Sequence, residues 1–94
     1  MAAPSSPTEI RVFLVDDHEI VLHGLREFMD AQDGLRVVGS ATSASTALSL
    51  LASAAPDVAL IDVRLPDKDG ISLCREIRER HPAIRCLMLS SFGS

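Results

Sequence analysis

Asp16, Asp17 and Asp62 are the residues best placed to do chemistry in this sequence. Each follows closely on a short apolar run rich in β-branched residues, Ile10 to Val15 for the pair and Val58 to Ile61 for the third. If those runs are neighbouring strands, three carboxylates crowd one crevice and repel one another unless a cation sits among them. A site made wholly of oxygens suits a hard ion such as Mg²⁺. An ion held by so few protein ligands keeps positions open for water or phosphoryl oxygens, which is the chemistry of phosphoryl transfer. A single acid beside a strand end is more often a loop residue or a helix cap, and Asp17 alone would read that way. The three together favour the functional reading.

The elements that must position these acids alternate along the chain. Ile10 to Val15 has the nearly continuous apolar character of a strand covered on both faces. A helical pattern follows, with Val21, Leu25, Phe28 and Met29 expected on its inner face, and Asp33-Gly34 breaks it. Leu35 to Ala41 reads as a second strand, and Ser43 can cap a helix whose stripe is Ala44, Ala47, Leu48, Leu51 and Ala55, ended by Pro56. Val58 to Ile61 is a third strand with Asp62 at its carboxyl end. Asp69 can cap a third helix carrying Ile71, Cys74 and Ile77 inward and stopping before His81-Pro82, and Ile84 to Leu89 is a fourth strand. Strands joined by crossover helices run parallel with right-handed connections. The expected class is therefore α/β, a doubly wound parallel sheet with helices on both faces, whose ligands collect beyond the carboxyl ends of its strands.

Composition narrows the functions. Ninety-four residues allow one small domain, and a 47% hydrophobic fraction is too high for a disordered chain. Residues 1–8, small and polar with two prolines, read as a disordered lead-in to a domain over residues 9–94. They have neither the basic nor the apolar region of a signal peptide, which points to the cytoplasm. The apolar runs are too short to span a membrane. A net charge of −4 and only three aromatic residues argue against direct contact with nucleic acid by this chain. Cys74 and Cys86 lack metal-type spacing and read as small core hydrophobes.

Other candidate sites fail on chemistry. Leu65 to Glu76 nearly fits a calcium loop, but its first position, which needs an oxygen ligand, is Leu65. Reading Asp62 as the nucleophile of a haloacid-dehalogenase-like enzyme would require an Asp two residues on, where Arg64 stands. His18, His23 and His81 form no ligand set, and His18 reads as a solvated residue at a helix start beside the crevice. Arg75, Arg78 and Arg80 alternate with Glu76 and Glu79 as on a solvated helix face.

Three segments carry a family likeness: Val12 to Glu19, with its Asp16-Asp17-His18 centre; Pro56 to Gly70, with Asp62 and the loop Leu65-Pro66-Asp67-Lys68-Asp69-Gly70; and Arg85 to Ser90. Together they resemble the receiver domain of bacterial two-component response regulators, over about residues 9–92. The Asp16-Asp17-His18 opening, the Gly24-Leu25 pair and Val37-Val38-Gly39 look most like the LuxR/NarL-type branch. The resemblance implies a flavodoxin-like fold, here with four strands in the order 2-1-3-4 and three helices. It makes Asp62 the phosphoacceptor, Asp17 a direct Mg²⁺ ligand, Asp16 a second acid of the site, and the backbone carbonyl of Arg64 the remaining protein ligand. Ser90 matches the hydroxyl that senses the phosphoryl group. Pro66 and Gly70 match loop-shaping positions, Pro66 by its fixed φ and Gly70 by opening the helix without a Cβ.

The resemblance further implies a sensor histidine kinase as phosphoryl donor. It implies a switch that is not a turnover enzyme, and a transcription output through a DNA-binding region outside this sequence. Receiver domains of this family continue through a fourth helix, a fifth strand carrying a lysine, and a fifth helix. The one lysine here, Lys68, stands in a different loop, so the family's lysine position has no counterpart. The chain is expected to be a piece of a longer regulator, or else a partner covers the exposed fourth strand by dimerisation or strand exchange. The competing function is a phosphorylation-independent docking or dimerisation module. A Mg²⁺-dependent phosphatase is disfavoured because no second acid–base group is evident beside Asp62.

Overall fold

The computed structural model describes residues 9–89, so the expected N-terminal tail and Ser90 lie outside the described residues. The elements run β1 Ile10–Val15, α1 Glu19–Asp30, β2 Leu35–Ala41, α2 Ala44–Ala54, β3 Val58–Asp62, α3 Gly70–Arg80 and β4 Arg85–Leu89. All strand pairs are parallel and the sheet order is β2-β1-β3-β4, as the resemblance implies. The chain moves outward from β1 to β2, then crosses back to β3 on the other side. That reversal places the switch point between β1 and β3. In register, Val15 lies opposite Ile61, so the residues that follow them, Asp16 and Asp62, emerge side by side.

Strict alternation along β1 divides the core. Phe13 and Val15 point into the larger layer, where Ala47 and Leu51 of α2 and Leu73 and Ile77 of α3 are fully buried. Val12 and Leu14 point to the opposite face, beneath Leu22, Leu25 and Met29 of α1. The inner row of α1 is thus Leu22-Leu25-Met29, whereas Val21 (42% exposed) and Phe28 (64% exposed) face outward, contrary to expectation. Neighbouring rows on a helix are only about 100° apart, and an apolar pattern this broad does not fix which row meets the sheet. The same one-position ambiguity affects α3, where Leu73 and Ile77 are buried, Cys74 is half-buried and Ile71 is exposed.

The helix ends follow local chemistry. Ser43 caps α2 by accepting the Thr46 N–H, and Asp69 caps α3 by accepting the Ser72 N–H. Ala55 does not continue the stripe of α2. It is the left-handed cap (φ 49°), and its outward turn leaves Ala54 packed on the core. The exposed carbonyls at that end are taken by Arg11, whose guanidinium donates to Ala54 O and Ala55 O at 2.7 and 3.1 Å. Gly34 supplies the positive φ, 87°, that turns the chain from α1 into β2. Among the described residues β4 stands at the edge of the sheet, with Leu87 and Met88 exposed.

Candidate functional site

The carboxyl ends of β1 and β3 bring Asp16, Asp17 and Asp62 together with His18. A ligand atom from each of the four lies within 4.8 Å of every other. Asp16 and Asp62 are buried, at 6% and 5% exposure, while Asp17 and His18 stand at the rim. Two of these acids are thus withdrawn from water next to like charge. Such a donor set fits a hard divalent cation: oxygens from three acids on two adjacent strands, with the site open on one side.

Backbone contacts fix the acids. The Asp16 N–H donates to Ala41 O at 3.1 Å, which ties the end of β1 to the end of β2. Asp16 Oδ1 accepts the His18 N–H at 2.8 Å, closing a tight turn into α1. Asp62 Oδ1 accepts the Arg64 N–H at 3.2 Å, a similar turn at the end of β3. That bond places the Arg64 peptide beside the Asp62 carboxylate, while the Arg64 side chain is exposed.

His18 is exposed at the helix start beside the crevice, as the sequence reading has it, and its ring also reaches the acids. Its Nδ1 lies 2.9 Å from Asp16 Oδ1 and 3.0 Å from Asp17 Oδ1. Its pKa is raised, first by the hydrogen bond to Asp16 and then by the charge of Asp17. The signal was local: a residue two positions beyond a strand-end acid in a turn points back toward that acid.

The loop that follows Asp62 is anchored at two points. Asp67 accepts the Ala44 N–H at 2.9 Å and the Ser45 N–H at 3.0 Å, binding the loop to the first turn of α2. Those two amide bonds hold its carboxyl below the ordinary carboxylate range. Gly70 then opens α3 against the end of β3, its N–H donating to Val63 O at 2.7 Å. A Cβ at Gly70 would collide with the Asp62 backbone carbonyl. Glycine is needed here for close approach, in addition to the helix-opening role expected of it. Lys68 is turned away from the crevice toward Glu76, which also pairs with Arg80 and whose pKa is lowered chiefly by the Lys68 bond.

Known proteins share this fold. The profile of the response regulator receiver domain matches residues 12–94. The DNA-binding transcriptional activator DevR/DosR of Mycobacterium tuberculosis is 51% identical over 85 residues, covering 90% of this chain and 39% of the relative. The signal receiver domain of the NarL response regulator from the same species superposes with a TM-score of 0.83 at 32% identity, covering 94% of this chain and 71% of that one. The isolated receiver domain of RcsB from Salmonella enterica serovar Typhimurium, solved with the phosphomimetic BeF₃⁻, gives 0.82 at 28% identity, covering 92% of this chain and 64% of that one. The chain spans about two fifths of the length of the curated relatives it matches. Among the described residues no helix is long and apolar enough to cross a membrane. With this acid crevice at the switch point of a 2-1-3-4 parallel sheet, and a profile match over most of its length, the chain belongs to the response regulator receiver domain family, in its LuxR/NarL-type branch.

Proposed function

We propose that Asp62 is the phosphoacceptor of a two-component switch, receiving its phosphoryl group from a sensor histidine kinase. The observation that carries this reading is the convergence of Asp16, Asp17 and buried Asp62 at the ends of the two adjacent central strands. A carboxylate oxygen of Asp62 attacks phosphorus, the bond from phosphorus to the donor's imidazole nitrogen breaks, and the departing nitrogen takes a proton. Asp16, Asp17, Asp62 and the backbone carbonyl of Arg64 would hold Mg²⁺. The ion, when bound, neutralises charge on the phosphoryl oxygens. The Arg64 N–H restrains the Asp62 carboxylate, and the amide bonds to Asp67 hold the loop that carries it.

A new dianion on Asp62 would recruit hydrogen-bond donors, with Ser90 the expected hydroxyl, and so bias the surface around β4. In the longer protein that change would control a transcription output, as the DNA-binding relative suggests. The domain would then work as a cytoplasmic signalling module that assists its own modification without turning over a substrate. A phosphorylation-independent docking or dimerisation role is the second reading, favoured by the exposed apolar side chains of Leu87 and Met88 on β4.

The test is intact mass after incubation with a small phosphodonor, with and without Mg²⁺, for the wild type and Asp62→Asn. A gain of one phosphoryl group that requires both Mg²⁺ and Asp62 is expected. No gain in a chain shown to be folded would replace the acceptor reading with the docking module.

A further inference from the structure

The α3–β4 seam holds the two cysteines of the sequence, Cys74 and Cys86, one on the helix and one on the strand. Both thiols are free and half-buried, packed at the margin of the larger core layer. They line one open groove together with Arg78, Ile84 and Leu87. They meet across this groove although they come from positions twelve apart in sequence, and the Cys74 thiol is near enough to bear on the ionisation of Cys86. Two core hydrophobes would need neither mutual proximity nor a shared opening to solvent.

We propose that Cys74 and Cys86 form a redox-active thiol pair that a peroxide-class oxidant closes to an intramolecular disulfide across the α3–β4 seam. Cys74 reacts first. Burial, and then the neighbouring Cys74 thiol, push the Cys86 thiol up to about 12, so Cys86 holds its proton at neutral pH. The Cys74 sulfur attacks hydrogen peroxide, the O–O bond breaks, and a sulfenic acid and one water form. The Cys86 sulfur then attacks the Cys74 sulfur. The S–S bond forms, the S–O bond breaks, and the hydroxyl leaves as a second water with the Cys86 proton. Two thiols have lost two hydrogens and one peroxide has become two waters. Proximity favours this second step over reaction with a thiol in solution, and Arg78 assists by stabilising the Cys86 thiolate.

The bond would tie α3 to β4. Gly70 at the start of α3 abuts the Asp62 carbonyl, and Leu89 at the end of β4 pairs with Asp62. Both linked elements therefore end at the acid crevice. The inference does not depend on phosphorylation, because it rests on the thiols alone.

The experiment treats the chain with low hydrogen peroxide, blocks remaining thiols with iodoacetamide, and measures intact mass, peptide linkage and unfolding midpoint. The expected result is a monomer lighter by two hydrogens, alkylated at neither cysteine, with a Cys74–Cys86 peptide, a raised midpoint, and full reversal by dithiothreitol. Cys86→Ser should stop at a sulfenic acid on Cys74 that dimedone traps, whereas Cys74→Ser should leave Cys86 reduced. Disulfide-linked dimers, oxygen addition to Cys74 with Cys86 still reduced, or two unreacted thiols would each overturn the proposal. The wild-type peptide map decides the matter even if a variant fails to fold.

Discussion

Replacing Asp62 with asparagine should stabilise the chain without Mg²⁺ and abolish its stabilisation by Mg²⁺. The oxygens of Asp16, Asp17 and Asp62 lie within 4.8 Å of one another. Two unit charges at that separation repel by about 3.5 kcal/mol at an effective dielectric near 20, and by about 0.9 kcal/mol in bulk water. Buried Asp16 and Asp62 lie toward the first limit and the rim acid Asp17 toward the second. His18 offsets part of the charge on Asp16 and Asp17 but donates no hydrogen bond to Asp62. Asparagine keeps an Oδ1 to accept the Arg64 N–H, so the substitution removes charge without orphaning that donor. The net gain should be about 1–3 kcal/mol, and in a domain of this size each kcal/mol moves the midpoint by about 4–8 °C. Thermal melts in EDTA and in millimolar Mg²⁺ read both effects. The wild type should gain from the ion according to the occupancy of its site, and the variant should not. A variant less stable than the wild type in EDTA would show that the Asp62 charge is satisfied by the fold and not opposed by its neighbours. Equal Mg²⁺ gains in the two proteins would remove Asp62 from the metal site.

Gly70→Ala should lose about 1–3 kcal/mol in urea unfolding, because the added Cβ must push α3 off the Asp62 carbonyl; it should also lower phosphoryl uptake, since the shift falls on Asp62, the proposed acceptor. Leu51→Ala should cost about 2–5 kcal/mol in the same assay while leaving Mg²⁺ affinity in the surviving folded fraction unchanged, as Leu51 is fully buried in the core layer beneath α2. The Asp67 carboxyl is held below its ordinary value in the folded chain, so its contribution is present above the unfolded carboxylate range and is lost as pH falls through the folded value. Asp67→Asn should therefore flatten the acid limb of a stability–pH curve, and an unchanged limb would show that the α2 amides do not favour the charged form.

The strand scaffold was legible because buried parallel strands leave a coarse and redundant signal. Four strand-like runs placed β1 to β4 nearly to the residue, and Ser43 and Asp69 marked two helix starts through an oxygen that the backbone needs. Helix phase was less legible. Val21 and Leu22 are adjacent apolar residues, and only the placement of Val12 and Leu14 beneath the helix decides that Leu22 turns inward. Cross-chain contacts left no local trace. Neither Arg11 reaching the last carbonyls of α2 nor Asp67 reaching its first amides can be read from spacing, since each pairing depends on how the sheet folds the chain back on itself.

Those unreadable contacts explain how the crevice can exist. Packing acids together works against stability, so the surrounding frame must hold the strand ends where the charges would drive them apart. Three bonds do this from different directions: the Asp16 N–H to Ala41 O, the Val63 N–H to Leu89 O, and the Gly70 N–H to Val63 O. Each lies within one residue of an acid or on the turn leaving it, and each joins separate segments of chain. Asp67 adds a fourth restraint by fixing the middle of the loop to α2. The identities of the acids set what the site attracts, and this frame sets the separation at which it does so. A substitution in the frame should therefore alter cation affinity without touching an acid. That separates it from the core substitution at Leu51, which should change stability alone.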